Sequence, residues 1–240
     1  PYDLVRLETA TAGTSATLPV GFAAAGSTPV PQTPVPLRRN ARLPDSGPME
    51  TVSFEHMVDG TPQDYELIGR ELVAHKAAHL TDHLLATLQA MAGPLLGYPV
   101  DRFHHSLQSA TRALRNGEAD EMVVAALLHD VGDPIAPENH SAVAADILRP
   151  YVDERTHWIV RHHGVFQGYY DFRHLGAEPD ARGQFREHEW FDDCAAFCAV
   201  YDQNCFERND DEMALADFEP LVREVFSRDS RYPLPSMTLA

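Results

Sequence analysis

The stretch Ala125-Ala-Leu-Leu-His-Asp-Val-Gly-Asp133 carries the residues best suited to chemistry. An apolar run leads a helix up to His129-Asp130, and Gly132 ends it just afterwards. At a helix end the loosening turn lets an imidazole nitrogen and a neighbouring carboxylate oxygen converge on one cation. In mid-helix the same pair would point about 100° apart around the axis. His105 lies upstream, and His140, His163 and Asp202 lie downstream. Imidazole and carboxylate donors without thiolates suit iron, manganese, zinc and similar ions. These six donors are too many for one tetrahedral ion and match two bridged ions, with Asp130 as the bridge. His129 and Asp130 are therefore the candidate catalytic residues, and His105, His129, Asp130, His140, His163 and Asp202 the candidate metal ligands.

The elements that must position them read as helices. Thr61-Pro62 offers an N-cap followed by proline at the first helical position. Leu67, Ile68, Leu72, Val73, Leu80, Leu84, Leu85, Leu88 and Met91 then keep a helical apolar stripe until Gly93-Pro94. A second helix carries Phe103, Leu107, Ala110 and Leu114 and stops at Asn116-Gly117; a third runs from about Ala119 to the His-Asp pair. A fourth opens at Asn139 and ends before Pro150, and Asp153 caps a fifth that contains Trp158, Ile159 and ends near His163. Residues 164–183 mix glycines, tyrosines and charges and read as a loop or lid. A long helix is expected from about Arg186 to Arg208, and a last one over Leu215, Phe218, Leu221, Val222 and Phe226. The fold class is all-α, a helical bundle over residues 51–240. Residues 1–50 are rich in Thr, Ala, Ser, Gly and Pro without periodicity and read as a disordered tail. The chain opens on Pro1, as expected of a fragment or a processed form, and neither a signal-like nor a membrane-spanning segment is expected.

Composition bounds the partners. With 36 acidic against 19 basic residues among 240, the formal charge is −17. Such a field repels nucleic acid and anionic membrane, leaving a small molecule as the expected partner; the oligomeric state is open. Three cysteines crowded at 194, 198 and 205 make no disulfide framework and fit a reducing, cytoplasmic compartment.

The donor pattern resembles a known family. His105, His129-Asp130 and Asp202 are similar to the metal-binding signature of the HD superfamily, and His140 with His163 matches its dinuclear branch. His105-Ser-Leu-Gln-Ser-Ala110 resembles the first-ligand helix of myo-inositol oxygenase and of the HD-domain oxygenases that cleave organophosphonates, where a Gln commonly stands three residues after the His, as Gln108 does. The segment from His140 through Ile147-Leu148 to Ile159-Val-Arg-His-His163 resembles the phosphonate oxygenases in spacing; the likeness covers roughly residues 98–206. It implies an HD-type helical domain holding two iron ions, mixed-valent Fe2+/Fe3+, and the use of O2 to cleave a C–P or C–C bond of a small hydroxylated substrate such as a phosphonate. The alternative is an HD-type phosphohydrolase acting on a nucleotide or small phosphate ester with another divalent metal, Mn2+ or Zn2+.

The chain departs from these relatives where they carry lysines. Asp133 stands shortly after the His-Asp pair, Gln203 after the last Asp ligand, and Gln167 after the fifth helix's ligand. Asp133, Gln167 and Gln108 are therefore candidates for contact with substrate. Arg161, Arg173 or His174 could serve as the anion clamp, and Tyr98 and Tyr169 as lid groups. Register decides between neighbours. His105 is preferred over His104 because Gln108 then falls in the family pattern, and His163 is preferred over His162. Asp192 and Asp193 compete with Asp202 but sit where a helix start already favours carboxylates. His75, His79 and His83 form a ladder on the first helix and read as a partly exposed stripe.

Overall fold

A computed structural model describes residues 50–232 of the chain. The tail expected over residues 1–50 lies outside the described residues except for Glu50. The described residues form seven α-helices and no strand: α1 (Pro62–Gln89), α2 (Arg102–Arg115), α3 (Asp120–Leu128), α4 (His140–Leu148), α5 (Glu154–Leu175), α6 (Phe191–Phe197) and α7 (Leu215–Ser227). The fold is all-α, as the periodicity predicts. No helix among the described residues is long and apolar enough to cross a membrane.

Local chemistry sets the boundaries. Thr61 caps α1 reciprocally with Asp64, the Thr hydroxyl accepting from the Asp64 amide while the Asp64 carboxylate accepts from the Thr61 amide. Asp101 caps α2 through the His104 amide and Asp153 caps α5 through the Thr156 amide. α5 ends on Gly176, whose φ of 75° is the left-handed conformation of a C-terminal glycine.

At the centre lies α3. Every residue from Met122 to Leu128 is buried, so this helix has no solvent face. It packs against α2, α5 and α7, while α4 packs along α5 and α1 along α7. The buried side of α1 is Leu84, Leu85 and Leu88, with Met91 just beyond its end. The earlier part of the expected stripe does not all join the core: the hydrophobic period persists there, but Leu72 and Val73 stay half exposed among the described residues.

Two predicted boundaries need correction. Residues 164–175 are helix, so His163 lies inside α5 and not at its end. The glycines that suggested a break are packing positions. A Cβ on Gly164 would stand 2.7 Å from Ser141 Oγ, and one on Gly168 would collide with the Phe172 ring. The helix expected over 186–208 is shorter: a 3-10 turn (Ala181–Phe185) precedes α6, which starts only at Phe191 and runs into one turn of π-helix (Cys198–Asp202). In that turn the Gln203 amide donates to the Cys198 carbonyl, five residues back.

Gly132 admits the sharp approach of the turn after α3 to the start of α4. A Cβ there would fall 2.7 Å from the His140 carbonyl oxygen and 2.9 Å from its Cα. Both are backbone atoms and cannot swing away. Gly132→Ala is expected to destabilise the fold by about 1–3 kcal/mol and to displace His140, read as a lower urea midpoint together with weaker metal retention.

Candidate metal centre

The six donors arrive from five places in the fold. His105 lies one turn into α2, His129 caps the C-terminus of α3, Asp130 follows it, His140 opens α4, His163 stands in α5 and Asp202 closes the π turn. They meet in three overlapping groups whose donor atoms lie within 4.8 Å of one another: His105, His129 and Asp130; His129, His163 and Asp202; and Asp130, His140 and His163. All but His140 are buried.

Asp130 joins the two sides of the cluster. Its Oδ2 lies 3.6 Å from His105 Nε2 and 3.5 Å from His129 Nε2, and its Oδ1 lies 3.3 Å from His163 Nε2 and 3.5 Å from His140 Nε2. Asp202 Oδ1 is 3.5 Å from His105 Nε2, and its Oδ2 is buried with no hydrogen-bond partner.

The histidines are held from behind. Nδ1 of His105 faces the Cys205 carbonyl at 2.9 Å, Nδ1 of His129 the Ala126 carbonyl at 2.8 Å, Nδ1 of His140 the Pro137 carbonyl at 2.9 Å, and Nδ1 of His163 the Val160 carbonyl at 2.7 Å. A carbonyl only accepts, so in each ring the proton sits on Nδ1 and the Nε2 lone pair points inward. His105 and His129 thereby bring Nε2 within 3.2 Å of Nε2. Two imidazole nitrogens each about 2.1 Å from one ion would be roughly 3 Å apart. The arrangement fits a cation between them, and the unpartnered Asp202 oxygen fits the same demand.

The electrostatics agree. Burial pushes His129 down to about 4, keeping it a neutral ligand at neutral pH. Burial also opposes charge on His105 and His163, but Asp202 and Asp130 outweigh it and raise both rings. Burial would raise Asp130 as well; the histidines and Arg102 prevail and hold it well below the usual carboxylate range.

Arg102 is a cation beside the cluster to which the sequence motifs did not point. Its Nη1 lies 3.4 Å from Asp130 Oδ2 and its Nε 2.9 Å from Asp133 Oδ2. The family pattern puts its cations after the metal ligands, and Arg102 stands one helical turn before His105. That i, i+3 spacing was a usable signal. The guanidinium also lies over the Tyr98 ring at 4.7 Å, Tyr98 stacks on Phe206 at 5.1 Å, and Phe206 stacks on His105 at 4.4 Å.

A cavity of about 310 Å³ opens onto the cluster, with Tyr98, Arg102, His140, Gln167, Tyr170 and Phe206 among its walls. Gln167 Oε1 is buried without a partner. Of the expected substrate contacts, Tyr98 and Gln167 line this cavity, and Asp133 lies just behind, bonded to Arg102 and 3.2 Å from His140 Nδ1. The others are placed elsewhere. Both ends of the Gln108 amide are taken by the Glu207 backbone, at 2.8 and 3.0 Å, so it ties α2 to the segment after the π turn. Arg161 pairs with Asp146 at 3.3 Å, Arg173 lies exposed beside His174, and Tyr169 stacks under Arg182 while Tyr170 takes the wall. None of Arg161, Tyr169 and Arg173 is among the residues that line this cavity.

Register separates the neighbours. His104 is half exposed and bonded to Asp101 at 2.7 Å, and His162 turns to the Trp158 carbonyl at 2.8 Å. Asp193 pairs with Arg155 at 2.7 Å. His75, His79 and His83 stack along α1, with ring centroids 4.7 to 6.0 Å apart, and belong to none of the three donor groups.

Residues 102–194 match the family model described as HD domain. A curated relative, the [1-hydroxy-2-(trimethylamino)ethyl]phosphonate dioxygenase (glycine-betaine-forming) of Leisingera caerulea, is 33% identical over 85 residues, covering 31% of this chain and 43% of the relative. The likeness thus spans less than half the length of that relative.

Burial pushes the Cys205 thiol up to about 12, and Cys194 and Cys198 are also fully buried. The thiolate is the reactive form. At pH 8 the folded chain should leave all three cysteines unlabelled by a disulfide reagent until denaturant is added. Rapid labelling in the native state would show that the wall behind His105 is open.

Proposed function

We propose that this chain is a dinuclear HD-domain oxygenase that binds two iron ions and uses O2 to cleave a C–P or C–C bond in a small hydroxylated anion such as a phosphonate. The observation that carries the dinuclear reading is Asp130, whose two oxygens each face a different histidine pair. His105, His129, Asp130 and Asp202 would hold one ion, and His140, His163 and Asp130 the other. The relative's name, which joins a phosphonate, a hydroxyl on its first carbon and dioxygenase activity, supports the substrate class.

When bound, the irons supply the redox chemistry that activates O2 and the Lewis acidity that polarises a substrate hydroxyl. The chain's own residues do the rest. Arg102, with its planar fork of donors, takes the anionic end and places the hydroxyl-bearing carbon over the cluster. Its counter-ion Asp133 sets the angle of the guanidinium. Gln167 offers an acceptor to a substrate hydroxyl or amine, and Tyr98 with Phe206 closes the apolar side and excludes water.

Iron and electron paramagnetic resonance test this. The chain purified and reduced partway should hold about two irons and give a mixed-valent signal. It should consume O2 and release phosphate from a 1-hydroxyalkylphosphonate. Phosphate release from a phosphate ester without O2, on manganese or zinc, would make it the hydrolase instead. Asp130→Ala and His129→Ala should lose metal and turnover together, while His79→Ala keeps both; the reverse result would misplace the site. Arg102→Ala should retain iron yet raise the KM for a phosphonate by about 10- to 100-fold, the loss of a bidentate charged pair.

A further inference from the structure

A second cavity, of about 340 Å³, adjoins the cluster cavity and shares Arg102 and His140 with it. It lies between the end of α1, the loop leading into α2 and the turn before α4. Apart from Arg102, Asp133 and His140, its walls are apolar, with Met91, Leu96 and Pro134 prominent. Large side chains stand open around this region: Leu96 is 73% exposed and Ile135 74%. Leu96 also holds a φ of 50°, the left-handed region that a branched side chain rarely enters. The loop thus holds an isobutyl group at the rim of the cavity in a left-handed conformation.

We propose that this cavity receives the apolar end of the substrate, so that the preferred substrate is an anion carrying an aryl or branched alkyl group. The proposal rests on the oxygenase reading for the position of the anionic end. Arg102 is the joint. It faces the cluster on one side and the apolar chamber on the other, so one molecule can place its anion on the guanidinium and its hydrocarbon against Met91 and Leu96. Space is sufficient, since a dry cavity of about 150 Å³ already accepts benzene.

A quaternary ammonium end, as in the relative's substrate, is not what this chamber fits. Proteins hold such groups with aromatic faces or a free carboxylate. The described residues lining it include no Phe, Tyr or Trp, and its one carboxylate, Asp133, is already paired with Arg102 at 2.9 Å.

The test uses the full chain loaded with iron and three probes: methylphosphonate, phenylphosphonate and 2-(trimethylammonio)ethylphosphonate, titrated by calorimetry. Phenylphosphonate is expected to bind at least about tenfold tighter than methylphosphonate, from the apolar surface it buries. The trimethylammonio probe should bind no tighter than methylphosphonate. Leu96→Asn, an uncharged change at a lining position whose positive φ asparagine tolerates, should erase the phenyl advantage while methylphosphonate still binds. Equal affinity for methyl and phenyl probes overturns the proposal, as does a phenyl preference that survives the substitution or a trimethylammonio probe that binds tightest. In each of those cases, intact iron content and a mixed-valent signal leave the oxygenase reading standing. Failure of all three probes to bind an iron-loaded chain overturns this proposal together with the phosphonate substrate class.

Discussion

Four hydrogen bonds, each from a histidine Nδ1 to a backbone carbonyl, determine what the interior of this protein can be. They fix the tautomers, and the tautomers turn four lone pairs toward two buried carboxylates. Among the described residues the one guanidinium against these carboxylates is that of Arg102, on Asp130. A core assembled from acceptors is unfavourable by itself, because each buried ion carries a desolvation cost of several kcal/mol. Asp202 and Asp130 raise the His105 and His163 rings against the pull of burial. Divalent cations satisfy the same atoms better, since one ion meets several lone pairs at once.

The surrounding fold is organised to tolerate that strain. α3 is apolar on every side and ends at the cluster, so His129 and Asp130 stand at the tip of the most deeply buried element. Three of the four histidines bond a carbonyl three residues earlier, which needs only local geometry. His105 differs. Its partner carbonyl is Cys205, 100 residues away, and the Phe206 ring stacks on it at 4.4 Å. Gln108 is bonded to the next residue of that same segment. The chain after the π turn therefore acts as a strap across α2, and the turn itself places Asp202 at the cluster while Tyr201 bonds outward to Glu118.

This division explains what could be read from the sequence. Caps such as Thr61 and Asp153 are local events with local signals, and the starts of α1 and α5 followed from them; Asp101 caps α2 in the same way but had not been singled out. The six donors were legible because their types are costly to bury and their spacing resembles a known pattern. The continuation of α5 was not, because Gly164 and Gly168 act through contacts with Ser141 and Phe172 that no propensity encodes. The π turn was equally hidden: it adds one residue to a helical turn, and its cause is the placing of Asp202. Gln108 matched a family position, yet its amide is consumed by a partner 99 residues away. A motif names a residue, and only packing says which way it faces.

Arg102 shows the same point in reverse. Relatives of this type place lysines after their metal ligands, and here those positions hold Asp133, Gln167 and Gln203. A positive charge does stand beside the cluster, one turn ahead of His105, and Asp133 is its partner. The pair constrains its own history: an unpaired Asp133 so near Asp130 would add a third negative group to an acidic core, and burial with Asp130 already raises its pKa. An unpaired Arg102 would in turn bind Asp130 more fully and compete with metal for it. Each residue restrains the other: Asp133 holds Arg102 Nε at 2.9 Å, and Arg102 Nη1 reaches Asp130 only at 3.4 Å.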